Sequence, residues 1–400
     1  MLQGKTVILG ISGGIAVYKA VELLRLLTKA GADVHVVMTK NAQEFMTPLT
    51  FQALSGNPVH TELFNLYQEQ EIDHISLADR ADLFILAPAT ANLVGKIAQG
   101  LADDLLTTSV MATKAPVLVV PAMNSNMYEN PIYQRNEKLL VDGGYHVMEP
   151  ATGALACGWQ GKGKLPDPEQ ILETALMVLA PKDLLGCHLL VTAGPTREEI
   201  DPVRYLSNYS SGKMGYAVAA VACRRGASVT LVSGPTALTV PAGVRCVPVC
   251  SAEEMRVAVL AEFDSADVVI KSAAVADYRP LNRAAQKVKK QMDEMTLPLE
   301  KNPDILAELG ALKGEQVLVG FAAETERLLV HAAEKLRKKN LDLIVANDVS
   351  KAGAGFNVDT NIVRILHANG DIEEFDLMSK EQVAERLLDR VALLWKLKQQ

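Results

Sequence analysis

The sequence lacks the features of several large protein classes. It has 400 residues but only five cysteines, an odd number with no C-x-x-C pair, which argues against a disulfide framework and suits a reducing compartment. No apolar run approaches the roughly 18 residues of a membrane-spanning helix. The net charge is −7, so neither nucleic acid nor an anionic membrane is expected as a partner. We therefore expect an unprocessed cytoplasmic protein.

Two common nucleotide-binding motifs are also missing. The first glycine-rich turn, residues 10–15, does not have the G-x-G-x-x-G spacing, and the next strand ends in Met38, Thr39 and Lys40 where a dinucleotide-binding fold places an acidic residue. Gly212 and Lys213 resemble part of a P-loop, but the first glycine of that motif is absent and Met214 replaces its Ser or Thr. These departures argue against NAD and against a Walker-type nucleotidase, and a mononucleotide fits the first turn better.

The sequence does contain two strand–turn–helix–strand units. Residues 6–38 predict a strand (6–10), a glycine-rich turn, a helix ending near Ala30 with Gly31 after it, and a second strand (33–38). Residues 189–232 predict a buried strand (189–192), a long polar loop, a helix (214–225) and a strand (228–232). Turns of this kind, at the N-terminus of a helix, bind anions.

This repetition predicts an α/β fold with two tandem Rossmann-like three-layer domains whose sheets are mainly parallel. We expect the domains at residues 1–180 and 188–400, joined by a short polar linker at 181–187. Asn369 and Gly370 predict a hairpin between residues 362–367 and 372–375, a small antiparallel addition to the second domain.

Polar residues of the first domain follow its predicted strands. Residues 87–92 and 121–128 come directly after strands, so they should face the same crevice as the first turn. Asn124 can hold a carboxylate through its amide or simply cap a turn, and His74 is either catalytic or structural. Three glycines after Cys157 predict a mobile loop, which would expose this thiol as a candidate acid or nucleophile.

The second domain offers a similar set. Small residues follow the strand at 267–270 and would let a ligand lie against the backbone, where Asp277 could bind a hydroxyl or an amine. The basic segment 287–290 could fold over a phosphate. Each of these features is also compatible with ordinary α/β scaffolding.

In the first domain, SGGIAVYKA, DHISLA, APATANLVGKIAQGLADDLLT, PAMNSNMY and ACG-x-x-G-x-G together resemble the flavin-dependent cysteine decarboxylases. The resemblance implies a trimer that uses FMN to oxidise the thiol of 4′-phospho-N-pantothenoylcysteine to a thioaldehyde, so that CO₂ can leave as an enethiolate forms. The reduced flavin then returns the hydride to give 4′-phosphopantetheine. It implies that His74 assists decarboxylation, Asn124 holds the carboxylate and Cys157 protonates the enethiolate. The implied FMN-binding residues are Gly13, Gly14, Ile15, Thr39, Pro88, Ala89, Thr90 and Met123.

The same loop departs from the commoner form of that family. Trp159 and Lys162 stand where Asp and Pro are frequent, and Lys164 stands where Arg is usual. A lysine cannot bind an anion in the bidentate way that arginine can.

In the second domain, TAGPTREEIDPVRYLSNYSSGKMG, SAAVADYRP, KVKK, KNPDIL, GFAAET and NLDLIVANDVS resemble the phosphopantothenate–cysteine ligase domain. The resemblance implies that 4′-phosphopantothenate attacks CTP, in the presence of Mg²⁺, to form an acyl-cytidylate, and that L-cysteine then displaces CMP. It implies that Asn208 holds the substrate carboxylate and that Lys287 stabilises the transition state. The implied nucleotide-binding residues are Ala273, Asp277, Lys287, Pro303, Asp304, Ile305, Leu306, Phe321, Lys335 and Lys339.

The resemblance gives no metal ligands, but it does imply an assembly. Ligase domains that pair as dimers would join decarboxylase trimers into a closed dodecamer.

Two other functions remain open at this point. A flavin-binding regulatory subunit could keep the pocket without turnover, although the presence of His74 and Cys157 disfavours it. An NAD-dependent reductase is disfavoured by the missing dinucleotide fingerprint.

Overall fold

The chain divides into two compact units, residues 1–180 and 181–400. The computed structural model describes residues 2–64, 73–154, 158–289, 296–324, 328–348, 353, 355 and 357–399. Among these residues, no helix combines the length and the apolar composition needed to cross a membrane.

The N-terminal unit is built on one parallel sheet with the strand order β3-β2-β1-β4-β5-β6, to which a separate hairpin, β7–β8, is added. Its elements are β1 (Thr6–Ile11), α1 (Val17–Lys29), β2 (Asp33–Met38), α2 (Lys40–Gln43), α3 (Pro48–Ser55), β3 (Val59–His60), α4 (Asp73–Arg80), β4 (Leu83–Ala89), α5 (Ala91–Ala98), α6 (Leu105–Ala112), β5 (Val117–Pro121), α7 (Ser125–Glu129), α8 (Pro131–Asp142), β6 (His146–Val147), β7 (Ala151–Ala154), β8 (Gln160–Lys164) and α9 (Pro168–Leu179).

The C-terminal unit repeats this design with the order β13-β12-β9-β14-β17-β18, to which β19 and β20 add in antiparallel fashion. Its elements are β9 (His188–Ala193), β10 (Arg197–Glu199), β11 (Tyr205–Ser207), α10 (Lys213–Arg224), β12 (Ser228–Ser233), β13 (Arg245–Pro248), α11 (Ala252–Phe263), β14 (Val268–Lys271), β15 (Tyr278–Pro280), β16 (Leu299–Lys301), α12 (Ile305–Leu312), β17 (Val317–Glu324), α13 (Leu328–Lys338), β18 (Leu343–Asp348), β19 (Thr360–His367), β20 (Ile372–Ser379) and α14 (Lys380–Lys398).

Helices cover both faces of each sheet, because the strands are apolar on both sides. In the first unit, Leu9 packs among residues of α1, α3 and α9, while its neighbour Ile8 packs among residues of α4, α5, α6 and α8. In the second unit, Ile270 lies in the core beneath α10 and α14, and Val269 lies in the core beneath α11, α12 and α13. The predicted pair of three-layer, mainly parallel α/β folds is confirmed.

Two segments predicted as loops contain strands. The polar loop after β9 folds into the antiparallel pair β10–β11. The prediction of a mobile loop after Cys157 is wrong for residues 160–164, which form β8. A Cβ on Gly161 would lie 2.3 Å from Ser125 Oγ, and a Cβ on Gly163 would lie 2.3 Å from Met123 O. These glycines permit close packing, which the sequence pattern alone does not distinguish from flexibility.

The segment predicted as a linker packs on the C-terminal unit. Leu184 and Cys187 are fully buried in its core, and Asp183 forms an ion pair with Arg225. Burial raises the pKa of the Cys187 thiol to about 12, so this cysteine is a small core residue and not a reactive thiol.

The structure predicts an unusual response to a helical glycine substitution. Alanine normally favours a helix over glycine by about 1 kcal/mol, but a Cβ on Gly310 in α12 would lie 2.0 Å from the carbonyl oxygen of Lys339. We expect Gly310→Ala to lower the free energy of unfolding by about 1–3 kcal/mol. Gly314→Ala, whose new Cβ would meet Gln316 Oε1 at an ordinary contact distance of 3.5 Å, should be nearly neutral. Urea unfolding followed by the fluorescence of the buried Trp395 measures both, and equal midpoints would contradict this packing.

Candidate active sites

The first candidate site is a cavity of about 720 Å³ in the N-terminal unit, which we name the N-terminal cavity. It lies at the carboxyl ends of the adjacent strands β1 and β4, where α1 continues to one face of the sheet and α5 to the other. Such a switch point is where open α/β sheets bind ligands, and the volume is in the range of small-molecule sites.

The turn after β1 is held in place by contacts across the switch point. The Ser12 hydroxyl donates a hydrogen bond to Pro88 O at 2.7 Å and accepts one from the Thr90 backbone N–H at 2.9 Å. Gly13 packs so closely on Asn41 that a Cβ would lie 2.5–2.7 Å from its Cβ, carbonyl carbon and carbonyl oxygen. The turn therefore requires glycine at this position.

Most of the predicted cofactor residues line this cavity. They come from separate parts of the chain, and they are Gly13, Gly14, Ile15, Thr39, Pro88, Thr90 and Met123. Ala89 is absent from the lining, since its side chain is fully buried in a core cluster. Its carbonyl oxygen instead accepts a hydrogen bond from the Ala122 N–H at 3.0 Å.

The three residues predicted as catalytic in this unit have different placements. Asn124 lines the cavity and also caps α7, because its Oδ1 accepts a hydrogen bond from the Asn126 N–H at 2.9 Å. His74 lies on α4 outside the lining, and its buried Nδ1 has no hydrogen-bond partner among the described residues. Cys157 lies outside the described residues.

The β7–β8 hairpin forms one wall of the N-terminal cavity. The Met123 N–H donates to Gly163 O at 3.0 Å, and Lys164 lines the cavity. Lys162 contacts Glu149 at 3.2 Å and lies over the ring of Tyr128 at 5.4 Å from its centre. The hydrogen bond to Met123 thus joins β8 to the segment that carries Asn124.

Sequence reasoning missed two cationic residues of the cavity. Lys19 on α1 pairs with Asp167 at 2.9 Å, and Lys96 on α5 pairs with Asp103 at 2.7 Å and Asp104 at 3.0 Å. The hydrogen bonds to Asp103 and Asp104 raise the pKa of Lys96, which therefore stays charged. The sequence offers one signal for Lys19, since this lysine lies on an otherwise apolar face of α1. Its partner Asp167 is distant in sequence.

The second candidate site is a cavity of about 340 Å³ in the C-terminal unit, which we name the C-terminal cavity. It lies at the corresponding switch point, between the ends of β9 and β14 and the N-terminus of α10. Of the predicted residues, Asn208, Ala273 and Phe321 line it. A Cβ on Gly215 would lie 2.6 Å from that of Ala193, so glycine allows α10 to approach β9 closely.

Two threonine hydroxyls that accept hydrogen bonds, and one asparagine amide that donates them, fix the backbone beside this cavity. Ala273 N–H donates to Thr192 Oγ1 at 3.1 Å, and Ala276 N–H donates to Thr196 Oγ1 at 3.0 Å. The Asn208 amide donates to the carbonyl oxygens of Ala274 and Val275, each at 3.2 Å. These bonds hold the segment after β14 against the loop that precedes α10.

A second group of predicted residues gathers at the start of α12. Asp304 caps this helix by accepting a hydrogen bond from the Ala307 N–H at 3.1 Å, and it pairs with Lys339 at 2.9 Å. Ile305 and Leu306 are buried in the core beneath the helix. Pro303 precedes the cap, and Lys335 lies on the neighbouring helix α13. None of these residues lines the C-terminal cavity.

Asp277 and Lys287 are exposed and also lie outside the lining of this cavity. Next to Lys287, the Val288 N–H donates to Asp201 at 3.2 Å, and Arg204 donates to Val288 O at 3.0 Å. The hydrogen bonds from Arg204 hold the pKa of the Asp201 carboxyl well below its usual range. Asp201 and Arg204 thereby fix the segment that carries Lys287.

Two lysines of the C-terminal cavity had no role assigned from the sequence. Lys213 begins α10 and pairs with Asp359 at 2.7 Å, and Lys380 begins α14 and donates to the carbonyl oxygens of Val358 and Gly355. Burial lowers the pKa of Lys380. Within the parts of the chain that the structure describes, no group of three His, Cys, Asp or Glu side chains is placed to bind a metal ion.

Comparisons with known proteins match both units. The family model "Flavoprotein" matches residues 1–180, and the model "DNA/pantothenate metabolism flavoprotein C-terminal domain" matches residues 184–394. The chain is 52% identical over 400 residues to the coenzyme A biosynthesis bifunctional protein CoaBC of Bacillus subtilis, covering 99% of this chain and 98% of that protein. It is 48% identical over 395 residues to the protein of the same name from Escherichia coli, covering 98% and 97%.

Both matches extend over nearly the full length of each protein, and the two family models follow one another in the same order as the two structural units. The chain therefore belongs to the family of bifunctional coenzyme A biosynthesis proteins, with a flavoprotein domain followed by a pantothenate-metabolism domain.

Proposed function

We propose that the N-terminal unit binds FMN and decarboxylates 4′-phospho-N-pantothenoylcysteine to 4′-phosphopantetheine. The observation that carries this proposal is the convergence of four separate chain segments in one cavity, which they line with Gly13 and Gly14, Thr39, Pro88 and Thr90, and Met123 and Asn124. The flavoprotein family of residues 1–180 and the names of the relatives support it.

The N-terminal cavity fits a flavin mononucleotide. Glycines at the start of α1 let backbone N–H groups approach a phosphate, and the helix N-terminus favours its negative charge. Thr39, Thr90 and Met123 would hold the remainder of the cofactor. Bound there, FMN supplies the two-electron oxidation of the substrate thiol and the later return of those electrons.

The protein side chains then have distinct tasks. Asn124 would bind the carboxylate that leaves as CO₂, while its own Oδ1 is held by the cap of α7. His74 would assist decarboxylation, and Cys157 would donate a proton to the enethiolate carbon. Lys164, on the wall of the cavity, would contribute a positive charge for the phosphate of the substrate.

We propose that the C-terminal unit uses CTP to ligate cysteine to 4′-phosphopantothenate. A carboxylate is a poor acyl donor, so the reaction needs a mixed anhydride, here an acyl-cytidylate, and catalysis rests on positioning and charge neutralisation. Asn208 would hold the substrate carboxylate, and Lys287 would neutralise charge at the α-phosphorus. CTP would contact Ala273, Asp277, Pro303, Asp304, Ile305, Leu306, Phe321, Lys335 and Lys339.

Mg²⁺ would arrive with the triphosphate. This ion usually keeps several waters and takes only one or two protein carboxylates besides the phosphates. The lack of a preformed acidic cluster among the described residues is compatible with such binding. The ligase product is the decarboxylase substrate, so the two reactions are consecutive, and we place them in the cytoplasm.

We also propose that the chain assembles as a dodecamer of decarboxylase trimers joined by ligase dimers. Exposed apolar side chains support interfaces on both units. Ile15, Tyr18 and Leu49 are 53–71% exposed on the first unit, and Val203 and Tyr278 are 59% and 53% exposed on the second. Surface patches of this kind are typical of protein–protein contacts.

The first test identifies the products that purified, FMN-loaded protein forms from 4′-phosphopantothenate, cysteine and CTP in the presence of Mg²⁺. Mass spectrometry should detect 4′-phosphopantetheine, CMP and pyrophosphate. Because a hydrogen bond to a charged group contributes about 1.5–3 kcal/mol, Asn208→Ala should slow formation of the cysteine adduct by about 10- to 100-fold. Asn124→Ala should form the adduct at the wild-type rate. Its decarboxylation of the adduct should be slower by a similar factor.

Asn126→Ala is the matched control for this experiment, since its side chain is exposed and its backbone N–H, which the substitution keeps, donates the hydrogen bond to Asn124. It should leave both steps unchanged. A flavin-containing protein that makes no adduct would refute the ligase proposal, and one that accumulates the adduct without loss of CO₂ would refute the decarboxylase proposal.

A second prediction concerns the turn after β1, which we propose binds the flavin. In Gly13→Ala the new Cβ would collide with the backbone of Asn41, so we expect at least a tenfold loss of FMN affinity. Gly95→Ala, whose Cβ would meet only Asn136 Nδ2 at 3.6 Å, should retain the flavin. Two measurements report the FMN affinity. One is the ratio of flavin absorbance to protein absorbance in the purified protein, and the other is fluorescence titration of the apoprotein with FMN. Equal flavin retention in both variants would show that this turn is not the cofactor site.

A third prediction concerns assembly. Native mass spectrometry should find about twelve chains of 43.1 kDa. Val203→Glu places a charge on the apolar surface of the C-terminal unit and should reduce the particle to trimers, because the decarboxylase contacts remain. A wild-type protein that is monomeric at micromolar concentration would contradict the proposal.

A further inference from the structure

One lysine of the β7–β8 hairpin lies outside the lining of the N-terminal cavity but contacts two groups beside it. Lys162 is in the middle of β8, and its Nζ lies 5.4 Å from the centre of the Tyr128 ring and 3.2 Å from Glu149 Oε2. None of these three residues lines the cavity. An effect of Lys162 on a ligand in the cavity must therefore pass through other residues.

The two partners of Lys162 differ in how firmly they hold it. The Glu149 side chain is 83% exposed, and an ion pair with such a carboxylate contributes little. Tyr128 is only 7% exposed, and its ring packs on that of Tyr133 with 5.5 Å between the centres. A cation over a buried ring is held more strongly than one over an exposed ring. The Tyr128 ring is thus the main anchor of Lys162.

Tyr128 is connected to the residue that we propose binds the substrate carboxylate. The Tyr128 N–H donates to Asn124 O at 3.0 Å, and the Tyr128 carbonyl oxygen accepts from Gln134 Nε2 at 2.6 Å. Asn124 in turn begins α7, a helix of only five residues. A helix this short has few hydrogen bonds of its own, so contacts from outside contribute to its position.

The β8 strand supplies such contacts at three consecutive residues. A Cβ on Gly161 would lie 2.3 Å from Ser125 Oγ, so this glycine packs directly on α7. The Met123 N–H donates to Gly163 O at 3.0 Å. Lys162, between the two glycines, makes the contact that uses a side chain of β8. It is therefore the contact that a substitution can remove without disturbing the close backbone packing.

We propose that Lys162 is a positioning residue of the decarboxylase, which holds β8 against α7 through the Tyr128 ring. The contact sets the spacing between Asn124 and Lys164, which both lie in the lining of the cavity. This inference rests on the proposed decarboxylase function, in which these two residues bind the carboxylate and the phosphate of one substrate. The two anionic ends of that substrate then have to match a spacing that the hairpin fixes.

Steady-state decarboxylation of 4′-phospho-N-pantothenoylcysteine by the FMN-loaded full chain tests the proposal. We expect Lys162→Met to raise KM by about three- to tenfold and to change kcat by less than about twofold, because the contact affects substrate binding and not the flavin. Lys162→Arg keeps a cation that can lie over the ring, so it should retain the wild-type KM. An unchanged KM in Lys162→Met, or an equal rise in Lys162→Arg, overturns the proposal.

The same assay with N-pantothenoylcysteine, which lacks the phosphate, identifies the residue through which Lys162 acts. If Lys162→Met raises KM only for the phosphorylated substrate, the effect passes through Lys164. If KM rises for both substrates, the effect passes through Asn124. Both results support the proposal.

Two further variants serve as controls. Lys138→Met removes a lysine of α8 that is 74% exposed and pairs with Asp142 at 2.9 Å, and it should leave KM unchanged. Glu149→Gln removes the ion pair but leaves the lysine over the ring, so it should change KM by less than about twofold. An effect of Glu149→Gln as large as that of Lys162→Met would overturn the role assigned to the Tyr128 ring.

Hydrogen exchange of the full chain provides a readout that does not depend on activity. Because the Met123 N–H is bound to β8, Lys162→Met should speed its exchange by about three- to tenfold, while Lys162→Arg and Lys138→Met should not. Equal exchange rates in all four proteins would overturn the proposal. A wild type that does not decarboxylate would instead refute the proposed function, and the exchange rates would still show whether Lys162 holds the hairpin.

Discussion

Both candidate sites depend on one constraint of the parallel sheet. At the pairs β1–β4 and β9–β14 the chain leaves adjacent strands toward opposite faces, which opens a crevice above their carboxyl ends. In each unit a hydroxyl group at the end of one strand binds the backbone at the end of the other. Ser12, directly after β1, donates to Pro88 O and accepts from the Thr90 N–H, while Thr192 in β9 accepts from the Ala273 N–H. Without these cross-links, the small residues after β4 and β14 would have no fixed position from which to contact a ligand.

The features that the sequence predicted well are local ones. Gly31 after α1, the apolar runs of the buried parallel strands and the Asn369–Gly370 hairpin are each determined within a few residues. The sequence also indicated which strand ends face the first cavity, because the carboxyl ends of parallel strands share an edge. Gly13, Thr39, Thr90 and Met123 follow from that rule together with the resemblance.

The features that the sequence missed depend on contacts between distant residues. Lys19 pairs with Asp167, and Lys213 pairs with Asp359, across 148 and 146 positions. The glycines of β8 were interpreted as flexible because the residues that they pack against, Met123 and Ser125, lie far upstream. A glycine that permits motion and one that permits close approach have the same sequence signature, and only the neighbouring backbone distinguishes them.

The protein is acidic overall, yet lysines lie in the lining of both cavities. Lys19 and Lys213 each pair with a carboxylate that is 68% or 87% exposed at the side chain. Ion pairs with such exposed carboxylates contribute only about 0–1 kcal/mol, so they orient the two lysines with little effect on the stability of the fold.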